Sequence, residues 1–153
     1  MIAIRRLNHA VLYVRDARRS AAFYSEALGM VVAGEFGDGA AVFLRAPDTT
    51  NDHDLGLFSI GSQAPPPQPG RVGLYHLAWE VDSLSDLVEM RAHLMQMGAL
   101  VGESDHGVSK SLYAKDVDGN EFEVMWAVPY EERQSVPTGV APLDLAAEVA
   151  KRS

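Results

Sequence analysis

LNHAVLYV (residues 7–14) and LYHLAWEV (74–81) are two versions of one strand, each with a histidine in third place. The two histidines, His9 and His76, stand 67 positions apart, and the stretches downstream of them match as well. The stretch RDARRSAAFYSEALG (15–29) reads as a helix, with Asp16 placed to cap it, Gly29 to end it, and Ala17, Ala21, Tyr24 and Leu28 as its buried stripe. DSLSDLVEMRAHLMQMG (82–98) is its counterpart, with Ser83 as cap, Gly98 as stop, and Leu84, Leu87, Val88, Leu94 and Met95 inside. Short strand-like runs come next, at 31–36, 40–45 and 54–60 in the first copy and at 100–104, 108–115 and 120–127 in the second. Turns at Gly37-Asp38-Gly39 and at Asp116-Val117-Asp118-Gly119 divide them. The order β-α-β-β-β therefore occurs twice, an internal repeat that predicts an α+β fold of paired βαβββ modules. Their curved mixed sheet is expected to carry helices on its outer face and to cup a site on the other.

Module one spans 5–61, the proline-rich SQAPPPQPGR (62–71) is an extended linker, and module two spans 72–127. A tail, 128–153, ends in a short helix-like PLDLAAEVAKRS, and the whole chain, 1–153, reads as one domain. The tail's prolines suit a segment that wraps over the cup or over a neighbouring subunit.

Alternation along the strands sorts the side chains. In the first strand Asn8, Ala10, Leu12 and Val14 share the helix-facing side, which leaves His9, Val11 and Tyr13 opposite. In the fifth, Tyr75, Leu77, Trp79 and Val81 form the apolar side, with His76, Ala78 and Glu80 opposite. In the last, Phe122, Val124 and Trp126 face the helix while Glu121, Glu123 and Met125 look into the cup. A lone strand histidine is usually a hydrogen-bonded residue with no further role. Two at equivalent repeat positions, with a carboxylate opposite, instead form a donor set for a divalent ion: His9, His76 and Glu123. Two imidazoles and one carboxylate leave coordination positions open, as suits non-haem Fe(II) oxygen chemistry. The repeat partner of Glu123 is Gly56, so a symmetric fourth ligand is not supported.

Composition narrows the class. The apolar share of 47% and charged share of 22% are those of a globular protein, and no apolar run is long enough for a membrane span. The absence of cysteine removes disulfides, thiolate zinc sites and cysteine nucleophiles. A net charge of −8 argues against a nucleic-acid partner. A cytoplasmic enzyme with no membrane or nucleic-acid partner is the expectation.

The paired modules with His9, His76 and Glu123 resemble the vicinal oxygen chelate superfamily of glyoxalases, epimerases, antibiotic-resistance proteins and extradiol dioxygenases. DHGVSKSLYAKDVDGNEFEVMW (105–126) looks most like the type I extradiol ring-cleaving branch. That resemblance implies an oxidoreductase that opens a catechol-type aromatic diol with O2 on Fe(II), Mn(II) being the other ion considered. It implies that His9, His76 and Glu123 are the ligands, that Tyr113 hydrogen-bonds the bound catecholate, that His106 supports it and that His53 is the acid/base. His53 shares strand parity with Leu55 and so serves the cup from the strand's entrance; the other reading is a loop residue between two aspartates. His93, mid-helix, is read as surface. The family also implies a homo-oligomer, a dimer or larger. The alternatives are a redox-neutral lyase or epimerase of the same superfamily, and a metal-free drug-binding resistance protein.

Overall fold

In the computed structural model, which describes residues 2–152, Asp16 accepts the Arg19 backbone N–H at 3.0 Å and so opens helix α1 (Ala17–Leu28). Gly29, in the left-handed region at φ 67°, closes it. Ser83 does the same for α2 (Leu84–Gln96), accepting the Asp86 N–H at 3.1 Å, and Gly98 at φ 68° turns the chain out of it. The chain divides into two compact units, one ending at Pro67 and one beginning at Gln68, a boundary inside the proline-rich linker.

The first unit holds strands β1 (Ala10–Val14), β2 (Val31–Phe36), β3 (Ala41–Arg45) and β4 (Leu55–Ser59), in the order β1-β4-β3-β2, with β1 and β4 parallel and the other pairs antiparallel. The second holds β5 (His76–Glu80), β6 (Leu100–Asp105), β7 (Ser109–Lys115) and β8 (Glu121–Ala127), in the order β5-β8-β7-β6 with the same directions. The registers superimpose: Ala10 pairs with Leu55 as Leu77 pairs with Phe122, each 67 positions on. The fold is α+β, two four-stranded mixed sheets each built by one βαβββ module.

Each unit packs its helix on one face of its sheet. Leu12, Val14, Leu44, Leu55 and Leu57 are buried with Ala17, Ala21 and Tyr24 of α1. In the second unit Leu112, Phe122 and Val124 are buried with Leu84, Leu87 and Leu94 of α2. Three details of the pattern differ from expectation. Val88 and Met95 are exposed, because the buried arc of α2 is centred on Leu87 and Leu94 and these two fall on its flank. Ala27 and Ser20 are buried where Leu28 was expected. The ladders of β1 and β5 begin at Ala10 and His76, so residues 7–9 and Tyr75 precede the paired backbone, and Tyr75 is exposed.

The tail packs on the second unit. Ala141 and Asp105 exchange backbone hydrogen bonds of 2.9 and 2.8 Å, a 3-10 turn spans Arg133–Ser135, and α3 (Leu145–Ala150) packs on α2. Among the described residues no helix is long and apolar enough to cross a membrane.

Candidate active site

The register of the second unit decides which side chains meet. Tyr113 pairs with Glu123, and Ala78 pairs with Glu123 from the other side, so β7, β8 and β5 present Tyr113, Glu123 and His76 on the face away from α2. His76 Nε2 lies 3.0 Å from Glu123 Oε2. Its ring centroid is 5.7 Å from that of Tyr113. The Tyr113 hydroxyl is in turn 2.8 Å from Nε2 of His106, which the turn between β6 and β7 supplies. Burial, and next to it the negative charge of Glu123, push the Tyr113 phenol above its ordinary pKa. Four residues expected from the sequence thus stand together in this unit.

The first unit gathers the other two. His53 packs against His9, with ring centroids 4.5 Å apart and planes tilted by 44°, and meets Phe43 in an edge-to-face contact at 4.9 Å. The loop that delivers it is pinned by Asp54, whose carboxylate accepts the Ala46 N–H, Asn51 Nδ2 and Thr49 Oγ1 at 2.8, 2.6 and 3.0 Å. Burial pushes the Asp54 carboxyl up, but these donors outweigh it and hold its pKa below the usual value. His53 therefore reaches His9 from the entrance of β4. Ala33, Gly34, Phe36, Phe43, Asp52 and His53 line a recess of about 320 Å³ beside it.

The two sheets also differ in an informative way. Phe43 pairs with Gly56 where Tyr113 pairs with Glu123, so the positions that carry a phenol and a carboxylate in one unit carry a phenyl ring and no side chain in the other. A Cβ on Gly56 would meet the Phe43 ring and Val11 at 3.4 Å.

One contact was not legible in the strand pattern. Glu121, which parity places on the same face as Glu123, brings Oε1 to 3.9 Å from Nδ1 of His76, a buried nitrogen with no hydrogen-bond partner. The charge and hydrogen bond of Glu121 also push the Tyr75 phenol above its ordinary value. The parallel register of β5 on β8, which sets His76 opposite Glu121, was the signal available for it.

The donor chemistry fits a divalent ion. An imidazole nitrogen and a carboxylate oxygen, both donor types for such an ion, stand 3.0 Å apart at His76 Nε2 and Glu123 Oε2. A metal-bound imidazole commonly donates its other N–H to a carboxylate, and Glu121 stands on that side of His76. Among the described residues no three His, Cys, Asp or Glu side chains gather in metal-binding geometry; the second unit supplies the pair His76 and Glu123.

The duplicated βαβββ sheet with an imidazole and a carboxylate on its open face defines a class, and the sequence agrees: residues 6–124 match the Glyoxalase/Bleomycin resistance protein/Dioxygenase superfamily, to which the chain belongs. It is 33% identical over 131 residues to the biphenyl-2,3-diol 1,2-dioxygenase 3 of Rhodococcus globerulus, covering 82% of this chain and 67% of that protein. It is 30% identical over 125 residues to the catechol-2,3-dioxygenase of Bacillus subtilis (strain 168), covering 77% of this chain but only 40% of that protein. Among solved structures, a glyoxalase/dioxygenase from Nostoc punctiforme shares the fold with a TM-score of 0.66 at 21% identity, over 82% of this chain and 92% of the other.

Proposed function

We propose that this protein is an extradiol dioxygenase that opens a catechol-type aromatic diol with O2, on an Fe(II) or Mn(II) ion held by His9, His76 and Glu123. The observation that carries the reading is the convergence in the second unit of an imidazole and a carboxylate 3.0 Å apart with a phenol and a second imidazole beside them. The two curated relatives, named for a catechol and a biphenyl diol, support the aromatic substrate. The bound ion would supply Lewis acidity and an electron path to O2.

The protein's own groups divide the remaining work. His53, whose ring lies against His9 and Phe43, takes a proton from the diol hydroxyl and returns it later. The Tyr113 hydroxyl, held by His106 Nε2 at 2.8 Å, directs a hydrogen bond at the substrate oxygen as negative charge develops there. Phe36 and Phe43 give an aromatic wall against which the ring can lie. We place the working enzyme in the cytoplasm as a homo-oligomer.

Anaerobic reconstitution with Fe(II), followed by catechols from the unsubstituted ring to biaryl diols and then air, tests the reading. A yellow ring-opened product is expected. His9→Ala, His76→Ala and Glu123→Ala should each abolish stoichiometric metal binding, since each removes one of three protein ligands. A folded variant that keeps full metal loading removes that residue from the set.

A further inference from the structure

Lys110 occupies a position that the strand pattern reserves for an apolar residue. It shares the helix-facing side of β7 with Leu112 and Ala114, both fully buried, and it is itself only 3% exposed. Lysine is seldom buried to that degree without a partner, because an ammonium taken out of water must be compensated by charge and hydrogen bonds.

The partners identify what Lys110 holds. Its Nζ lies 2.6 Å from Asp105 Oδ1 and 3.3 Å from the Gly107 carbonyl oxygen, the two residues on either side of His106. Asp105 Oδ1 also accepts the Gly107 N–H at 2.7 Å, which closes the turn. On the far side Nζ is 3.8 Å from Oε2 of Glu148, a buried carboxylate of the tail helix α3. Glu148 accepts from Arg152 Nε at 3.0 Å, and the Arg152 guanidinium stacks over Trp126, the residue that pairs with Lys110 across β7 and β8. The tail touches the same turn twice more. Ala141 is hydrogen-bonded to Asp105, and the Pro137 carbonyl sits so close to Gly107 that an added Cβ would lie 2.0 Å from it.

We propose that Lys110 is a positioning residue for the His106–Tyr113 pair, and that it acts by tying the His106 turn to the C-terminal helix through Glu148. The tail is on this view a part of the site's support. Its effect on catalysis rests on the proposed role of Tyr113 in the dioxygenase reaction. The His106 ring keeps its 2.8 Å contact with the phenol only while the turn is fixed at both ends. Misplacement of a reacting group by about an ångström can cost roughly a hundredfold in rate.

Lys110→Met in the full-length, iron-loaded protein keeps the apolar stem and removes the ammonium. The expected result is unchanged iron content, faster amide exchange at Gly107 and Val108, displaced His106 ring resonances, and a kcat lowered between roughly tenfold and a hundredfold with little change in KM. Lys110→Arg should restore most of the protection. Glu148→Gln, placed in the tail and away from the strand, should give the same signature in weaker form; it decides the matter if Lys110→Met does not fold. A lower Tm with native exchange in the turn, native His106 resonances and native kcat would overturn the proposal and leave Lys110 a packing residue. If the wild type opens no catechol, the dioxygenase reading fails, and the exchange and His106 measurements still decide whether Lys110 and the tail fix the turn.

Discussion

His53 lies between two aspartates in the sequence, yet the fold turns its ring onto His9 and Phe43, with its side chain 19% exposed beside a fully exposed Asp52. If it carries the substrate proton, His53→Phe should leave the metal bound and cut kcat by roughly 10²–10⁴-fold. The loss should shrink for electron-poor diols such as 4-nitrocatechol, which arrive partly ionised; equal losses across the series would remove His53 from the proton path. Tyr113 allows a sharper electrostatic check on metal-free protein. Burial raises its pKa most and Glu123 raises it next, so Glu123→Gln should bring the phenol's ultraviolet titration down towards the ordinary value without reaching it, Tyr113→Phe identifying the signal. At this scale the choice of His9, His76, Glu123, Tyr113, His106 and His53 as candidates was legible in the sequence. Their distances were not. Parity says which face a side chain takes, but the 2.8 Å bond between His106 and Tyr113 depends on a turn conformation, and the approach of Glu121 to His76 on the pairing of β5 with β8.

Elements are where the sequence spoke most clearly, because caps and stops act locally. Asp16 and Ser83 cap as expected, and Asp16→Ala should cost about 1 kcal/mol, read from a denaturant midpoint. Helix flanks were misjudged for a tertiary reason, since how wide an arc α2 buries is set by the sheet beneath it and not by its own spacing. The tail carries an element-scale prediction with a definite sign. Burial pushes the carboxyls of Asp105 and Glu148 up, but Lys110 and the Gly107 N–H outweigh it for Asp105, and Arg152, Lys110 and Lys151 outweigh it for Glu148, so both sit below their usual values. The unfolded chain therefore binds more protons than the native one across the carboxylate range. The stability these groups give is complete above about pH 5 and lost as pH falls through the ordinary value, near 4, towards the lower folded ones. Melting temperatures taken from pH 6 down to pH 3 should fall more steeply for the wild type than for Lys110→Met, which lacks the chief partner of Asp105. Parallel curves would mean that the ammonium does not sustain the depressed values.

At the scale of the whole molecule, the duplicated module puts one helix and one four-stranded sheet on each side of residues 62–71. Each unit has its own buried leucines and its own complete strand ladder, so the native backbone bonds of one do not depend on the other. Pro65, Pro66 and Pro67 keep the connection out of either sheet, for lack of N–H donors, and all three are exposed, as is Arg71. Beyond trimming at Arg5, Arg6 and Lys151 near the ends, trypsin applied to the native protein should consequently make its first internal cut after Arg71, in an exposed segment free of regular structure. The nicked protein should keep its far-UV circular dichroism, because no helix or strand is interrupted. The proposed ligands would by then lie on two fragments, His9 on one and His76 with Glu123 on the other. After separation, the fragment from Val72 onward should, like His9→Ala, bind no stoichiometric ion at concentrations that saturate the intact chain, since it brings two donors and not three. Loss of the circular dichroism on nicking would show that the units cannot hold their structure once the linker is cut. A second fragment that bound iron as tightly as the intact protein would take His9 out of the metal site.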